Sequence, residues 1–314
     1  MELESNAAVI ITVLLILVVV DITSNTLVCL IIMRHLQRRT QMNYLLLNLA
    51  ICDVLFAIFI TPKIIVSYNI SHPDGVTGVI LCKLLTGGNM AWVSGAFSVI
   101  ILVTIAVERY HTVRYAFDPN RKLTKRKLKV IVLCSWIFAV FFNLPLFLVR
   151  TFEMAEANNY CVQIWPEKWM SSVYCVAWLF LVVASAVTMT VLYSRVIYTL
   201  WHHPNDGNPL TYKQQGVLRV RKRVTLMVIS VSVIFAVCWG AESVEYALRI
   251  TSNLNISFVH IATVDMMVLF NSAVNPFVYA LLNHQFRQKI KEVMSCTRLV
   301  AHRPRAETAK ETKL

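Results

Sequence analysis

Apolar residues in this chain come in long unbroken runs, without the every-second-position alternation of a half-buried strand. Seven such runs, near residues 8–33, 43–68, 84–112, 129–149, 171–200, 224–249 and 257–282, are each long enough to cross a hydrocarbon core of about 30 Å. Lipid offers an exposed backbone no hydrogen-bond partner, so continuous apolar runs of this length predict helices, which satisfy their own N–H and C=O groups. The expected fold class is an all-α membrane protein, a seven-helix bundle. Ahead of the first run stand Glu2 and Glu4 with no basic residue, and no small-residue cleavage site precedes Arg34. That run is read as a retained helix and not as a leader.

Composition strengthens this picture and charge orients it. With 57% hydrophobic and 15% charged residues, the 314-residue chain has too little polar surface to clothe a soluble globule of its size. Its lysines and arginines cluster after alternate runs: three in 34–41, seven in 113–129, five in 202–223 and eight in 283–314. Between the other runs stand only Lys63, Lys83, Arg150, Lys168 and Arg249. By the positive-inside rule the amino terminus lies outside and the carboxyl terminus in the cytosol. The formal charge of +13 is therefore a topology signal, located where anionic headgroups and cytosolic partners lie, and nucleic acid is not an expected partner. Neither repeats nor long linkers divide the chain, so residues 1–295 are expected to form one domain, with 296–314 a basic cytosolic tail that stays disordered.

Polar side chains inside apolar helices are expensive to bury and mark function or structural networks. The first run contains Asn25 and an unusual mid-span acid, Asp21. In the second run one acid stands in Asn48-Leu49-Ala50-Ile51-Cys52-Asp53; the third ends Glu108-Arg109-Tyr110; the fourth carries Trp136 and Pro145. Phe235-Ala236-Val237-Cys238-Trp239 lies in the sixth, and Asn271-Ser272-Ala273-Val274-Asn275-Pro276-Phe277-Val278-Tyr279 in the seventh. In this order, each in its own helix, these motifs resemble the rhodopsin-like (class A) G-protein-coupled receptors over roughly residues 20–295. The text Tyr160–Pro166 and the run Tyr193–Trp201 are further similar to neuropeptide receptors of the neuropeptide Y and tachykinin type.

The resemblance implies a plasma-membrane receptor that binds an extracellular ligand and activates a heterotrimeric G protein, with arrestin and membrane lipid as further partners. It implies an activation switch in Glu108, Arg109, Tyr110, Phe235, Trp239, Asn275, Pro276 and Tyr279. Arg109 beside Glu108 forms a charge-assisted pair that a protonation or a partner can release. Pro276 removes a backbone hydrogen bond inside the seventh helix and makes a hinge. Asp53, Ser98, Asn271 and Asn275 match family positions around a sodium ion, and oxygen donors suit a hard cation; the alternative is a protonated Asp53 in a water network. No other cofactor is implied. Cys82 and Cys161 match the family disulfide. His284–Met294 reads as a short amphipathic eighth helix on the membrane surface, with Cys296 a lipidation site. Asn69 and Asn255 open glycosylation sequons.

Ligand class follows from what is missing as well as what is present. Ala91 stands where amine receptors carry an aspartate. Leu269 replaces the retinal lysine of opsins, and no lysine lies in 250–288, so no Schiff base can form. Trp92, Glu242, Glu245, Tyr246, His260 and Asp265 are expected to form an acidic, aromatic mouth for a cationic ligand, such as a short basic or amidated neuropeptide. The alternative is a non-peptide small-molecule receptor, or a seven-helix protein that does not signal or is constitutively active.

Departures from the family pattern are also visible. Cys82 stands 27 positions before Arg109, two more than the family spacing, so Gly87-Gly88 are expected to bulge. Ser185 and Ala241 replace the prolines of the fifth and sixth helices, leaving Gly240 as a source of flexibility. The sixth-helix acid that would hold Arg109 is replaced by Arg221, whose like charge repels it. No paired broken helices suggest a transporter. No His-Glu-x-x-His or Gly-x-Ser-x-Gly motif suggests an enzyme.

Overall fold

The computed structural model describes residues 2–34, 40–66, 75–115, 123–153, 160–202, 212–252, 258–282 and 286–292. Seven of its helices are long and apolar enough to cross a membrane. They are Glu2–Arg34, Gln41–Val66, a composite third span within Gly75–Arg114, Lys125–Val149, Lys168–His202, Tyr212–Thr251 and Phe258–Leu282. The first packs on the second and seventh, the second on the third, the third on the fourth and fifth, and the fifth through the sixth to the seventh, closing the bundle. The third span runs at its centre. Of its most apolar 18-residue stretch, 72% is buried within the protein, against 28% for the fourth and fifth helices.

Those two outer helices explain why the chain shows little amphipathic pattern. Leu133, Ile137, Phe141, Leu144 and Leu148 stand exposed at three- and four-residue spacing along the fourth, and Val173, Val176, Phe180, Val183 and Val187 along the fifth. An outer face presented to lipid is as apolar as the inner one, so the helical period of hydrophobicity disappears.

The surplus of two residues in the third span is absorbed at its amino-terminal end. A helical segment, Gly75–Leu81, runs into a π-helical stretch, Cys82–Thr86, before the main helix starts at Asn89. Gly88 takes φ +76°, a left-handed conformation that favours glycine. Asn89 is fully buried and ties the junction together, its amide donating to the carbonyls of Lys83 at 2.9 Å and Leu146 at 3.3 Å. The expected bulge is thus a π-turn followed by two glycines.

Two short strands follow the fourth helix: β1 (Arg150–Glu153) and β2 (Tyr160–Gln163), antiparallel with Arg150 opposite Gln163 and Phe152 opposite Cys161. A disulfide joins Cys161 to Cys82 and fastens this hairpin to the π-turn. The sequence pattern predicted no strand here. Four-residue strands between two helices are too short to register against runs of twenty or more apolar residues.

Helix lengths also differ from the apolar runs. The sixth helix is 40 residues long, about 60 Å at 1.5 Å per residue, and continues through the basic stretch Arg219–Arg223. Arginine, lysine and glutamine are strong helix formers, so the helix outlasts the hydropathy signal. It also runs unbroken through Gly240 and Ala241. The final helix, 286–292, buries Phe286 against Tyr279, partly buries Ile290, and exposes Arg287 and Lys291, an amphipathic division. Cys296, Asn69 and Asn255, and the tail 296–314, lie outside the described residues.

Candidate functional site

A cavity of about 520 Å³ opens between the helices and the hairpin, at the end of the bundle that carries the disulfide. Of the expected ligand-contacting residues, Trp92, Glu242, Tyr246 and Asp265 line it. Glu242 is 5% exposed, and its Oε2 is buried without a hydrogen-bond partner. Glu245 and His260 are not among the lining residues. Glu245 is turned towards Arg249, 3.8 Å away one helical turn on, and His260 is exposed at the amino-terminal start of the seventh helix.

The expected acidity of this mouth needs correction. Lys63 lines the same cavity and binds Asp265 at 2.8 Å, while its Nζ lies 5.7 Å from the Trp92 ring centre. Arg150 and Arg249 line it as well. Lys63, Arg150 and Arg249 face Glu242 and Asp265, so the cavity is bipolar. In the sequence these three cations are among the few basic residues between the other runs, with nothing to mark them as a group. Only the hairpin and the helix packing bring them together.

The cavity floor is aromatic. Trp239, 1% exposed, makes edge contacts with Phe56, Trp92 and Trp178 at centroid distances of 6.2, 6.1 and 5.8 Å, and sits 6.1 Å from Phe235. Gly95 on the third helix makes room for it: a Cβ there would run into the far edge of the indole. Neither Trp178 nor Gly95 was legible as part of this cluster from sequence, because each lies in an apolar run without a distinguishing neighbour.

Below this layer a polar network crosses the core. Asn275 donates to Asp53 at 2.8 Å. Ser98 Oγ and the amide oxygens of Asn271 and Asn275 are buried without hydrogen-bond partners. Asp21 is also fully buried: Asn25 donates to its carboxylate at 2.5 Å and to the carbonyl of Ser272 at 3.2 Å, which links the first helix to the seventh. The mid-span acid noted in the sequence thus belongs to an inter-helix polar contact beside the Asp53 network.

At the opposite end Arg109 is paired with Glu108 through both Nε and a terminal nitrogen, and Thr112 donates to the same carboxylate at 2.8 Å. Both charges are buried, 9% and 3% exposed. Tyr110 packs beside Val113, Val196 and Leu200. Tyr279, 2% exposed, follows Pro276 inside the seventh helix, and its hydroxyl has no partner.

Residues 24–279 match the model of the 7 transmembrane receptor (rhodopsin family). The chain belongs to that family. The receptor is similar to neuropeptide FF receptor 1 of Homo sapiens, 30% identical over 286 residues that cover 84% of this chain and 65% of the relative. It is similar to the QRFP-like peptide receptor of Branchiostoma floridae, at 25% identity over 87% of this chain and 73% of the relative. It also resembles the substance-K receptor of Canis lupus familiaris, at 26% identity over 91% and 75%. The receptor spans about two thirds of the length of some of these relatives, 65% for neuropeptide FF receptor 1 and 64% for the mouse pyroglutamylated RF-amide peptide receptor. Family membership makes it a multi-pass membrane receptor, in keeping with its seven apolar helices.

Proposed function

We propose that this receptor binds a short basic peptide from outside the cell and activates a heterotrimeric G protein inside it. The observation that carries the reading is Glu242, an acid with a buried, unpartnered oxygen on the wall of an aromatic cavity. An arginine or lysine of a peptide would supply a charge-assisted hydrogen bond to it and ring contacts to Trp92. Relatives named as peptide receptors support the same class. The distribution of lysine and arginine supports an extracellular amino terminus and a cytosolic carboxyl terminus, and with them a cavity that faces outwards and an Arg109 that faces the cytosol.

Binding above Trp239 acts on a packed aromatic cluster that either keeps its arrangement or changes it as a unit. The Pro276 hinge and the Asp53–Asn275 contact lie between this cluster and Arg109 along the bundle. Release of Arg109 from Glu108 would open the cytosolic face, where the third-helix end and Arg219–Arg223 meet the G protein; arrestin and anionic lipid would use the same basic face.

Replacing arginine by citrulline in active peptides removes the charge and keeps the shape; the response is expected to fall steeply. A response to lipid or nucleotide ligands with none to any peptide would overturn the peptide reading.

A sodium ion fits the polar network. Asp53 would supply the charge, and Ser98, Asn271 and Asn275 the otherwise unpartnered oxygens, a hard-donor set matched to a hard cation. Bound there, the ion would hold the second, third and seventh helices together and oppose activation. Raising sodium is expected to weaken agonist affinity by about 5-fold or more, the lower end of ordinary allosteric coupling. Asp53→Asn should abolish that dependence. A flat titration in the parent receptor excludes the ion.

Arg109 has no acid on the sixth helix to hold it, since that helix carries only Glu242 and Glu245, both at its outer end. With Glu108 as the acid paired to Arg109 among the described residues, agonist-free signalling is expected to exceed that of an Arg109→Ala variant. Equal second-messenger levels in the two would remove the claim of basal activity.

A further inference from the structure

The cavity contains a cationic wall that a purely basic ligand leaves unused. Arg150, the first residue of β1, lines the cavity with its Nε buried and without a hydrogen-bond partner. None of the ion pairs among the described residues involves it. Its stem is accommodated over Gly87, where a Cβ would lie 3.0 Å from both Cγ and Nε of Arg150. Gly87 thus leaves room for this arginine as well as for the Cys82 carbonyl, which a Cβ would meet first.

Arg249 stands on the same wall. Its side chain is 42% exposed, lies 5.2 Å above the Tyr246 ring, and reaches Glu245 only at 3.8 Å. Burial and the neighbouring Arg249 together push the Arg150 guanidinium down to about 10. Two more donors on this wall are buried and unpartnered, the Trp165 indole N–H and the Tyr246 hydroxyl. Adjacent like charges in a partly desolvated pocket repel, and an oxyanion between them would both neutralise the wall and accept from its planar donors.

We infer that Arg150 and Arg249 form a carboxylate subsite, so that the agonist is a dipolar peptide carrying an anionic group as well as a cationic one. Glu242 and Arg249 are seven residues apart on one helix, about 10 Å along its axis, and both face the cavity. That separation is spanned by about three extended residues of peptide. The cation would sit deep at Glu242, and the carboxylate, from a free carboxyl terminus or an acidic side chain, shallow at Arg150. The identity of the ligand as a peptide rests on the function proposed above; the anion subsite itself rests on the arginines.

The test uses full-length receptor purified in detergent. Thermal unfolding is followed with N-acetylphenylalanine, a carboxylate at neutral pH, and with its neutral amide. The carboxylate is expected to raise the Tm by about 2 °C or more when saturating, and the amide to raise it less. Arg150→Gln should erase the difference, and Arg249→Gln, at a half-exposed position where folding is not in question, should reduce it. Equal shifts from the two compounds, no shift from either, or a difference that survives in both variants would overturn the subsite. In cells, peptide pairs bearing arginine three residues before either a free carboxyl terminus or an amidated aspartate distinguish the two carboxylate sources. If no peptide activates the receptor while the carboxylate shift persists and depends on Arg150, the peptide reading falls and the subsite stands.

Discussion

The Glu242→Gln receptor is expected to need roughly 10- to 150-fold more of a basic peptide agonist for half-maximal G-protein dissociation. This corresponds to the 1.5–3 kcal/mol of a hydrogen bond to a charged group. The substitution keeps the shape of the side chain, removes its charge and replaces one acceptor oxygen by an amide donor. Glu242 is the acid to test because Asp265, the other acid on the cavity wall, is already bound by Lys63 at 2.8 Å. Surface expression should be unchanged, since an amide is easier to bury than a carboxylate. Radioligand or fluorescent-peptide competition on intact cells reads the loss directly, and an unchanged dose–response would move the cationic anchor away from Glu242.

Gly95→Ala is expected to destabilise the receptor by about 1–3 kcal/mol, the range for forcing an extra methyl into a packed core. The collision is specific: the new Cβ meets the far edge of the Trp239 indole, which is held from other sides by Phe56, Trp92 and Trp178. Trp239→Phe removes that part of the ring, so the double variant should recover much of the lost thermal stability. Such recovery in a double-mutant cycle assigns the cost to this contact. Because the same tryptophan sits beneath the ligand cavity, Gly95→Ala should also change agonist-free signalling, and Gly95→Ala/Trp239→Phe should return it towards the parent level. Additive losses of stability would mean that the contact is not where the glycine matters.

How much of this was legible in the sequence differs between the fold and the site. The seven spans were legible because lipid burial imposes long apolar runs. The inner polar residues were legible because each is an anomaly in such a run: Asp53, Glu108, Arg109 and Asn275 are all buried, and two of them meet across helices at 2.8 Å. The ligand cavity was legible only in part. Its acids and Trp92 stood out by type, whereas Lys63, Arg150 and Arg249 are scattered single basic residues in sequence, and only the packing brings them to one cavity. The hairpin and the π-turn were hidden for a related reason. Both are too short to set a period of their own, and the extra spacing between Cys82 and Arg109 signalled a local distortion without its form. Gly95 was invisible, since a glycine in an apolar helix has meaning only through what packs against it.

The most direct test of the account as a whole is heterotrimeric G-protein dissociation in cells expressing the full-length receptor, recorded across a library of short peptides in parallel with an Arg109→Ala variant at matched surface expression. The account predicts that basic peptides, dipolar ones foremost, drive dissociation through the parent receptor and not through the variant. Silence across the library in both, or equal responses in both, would contradict it.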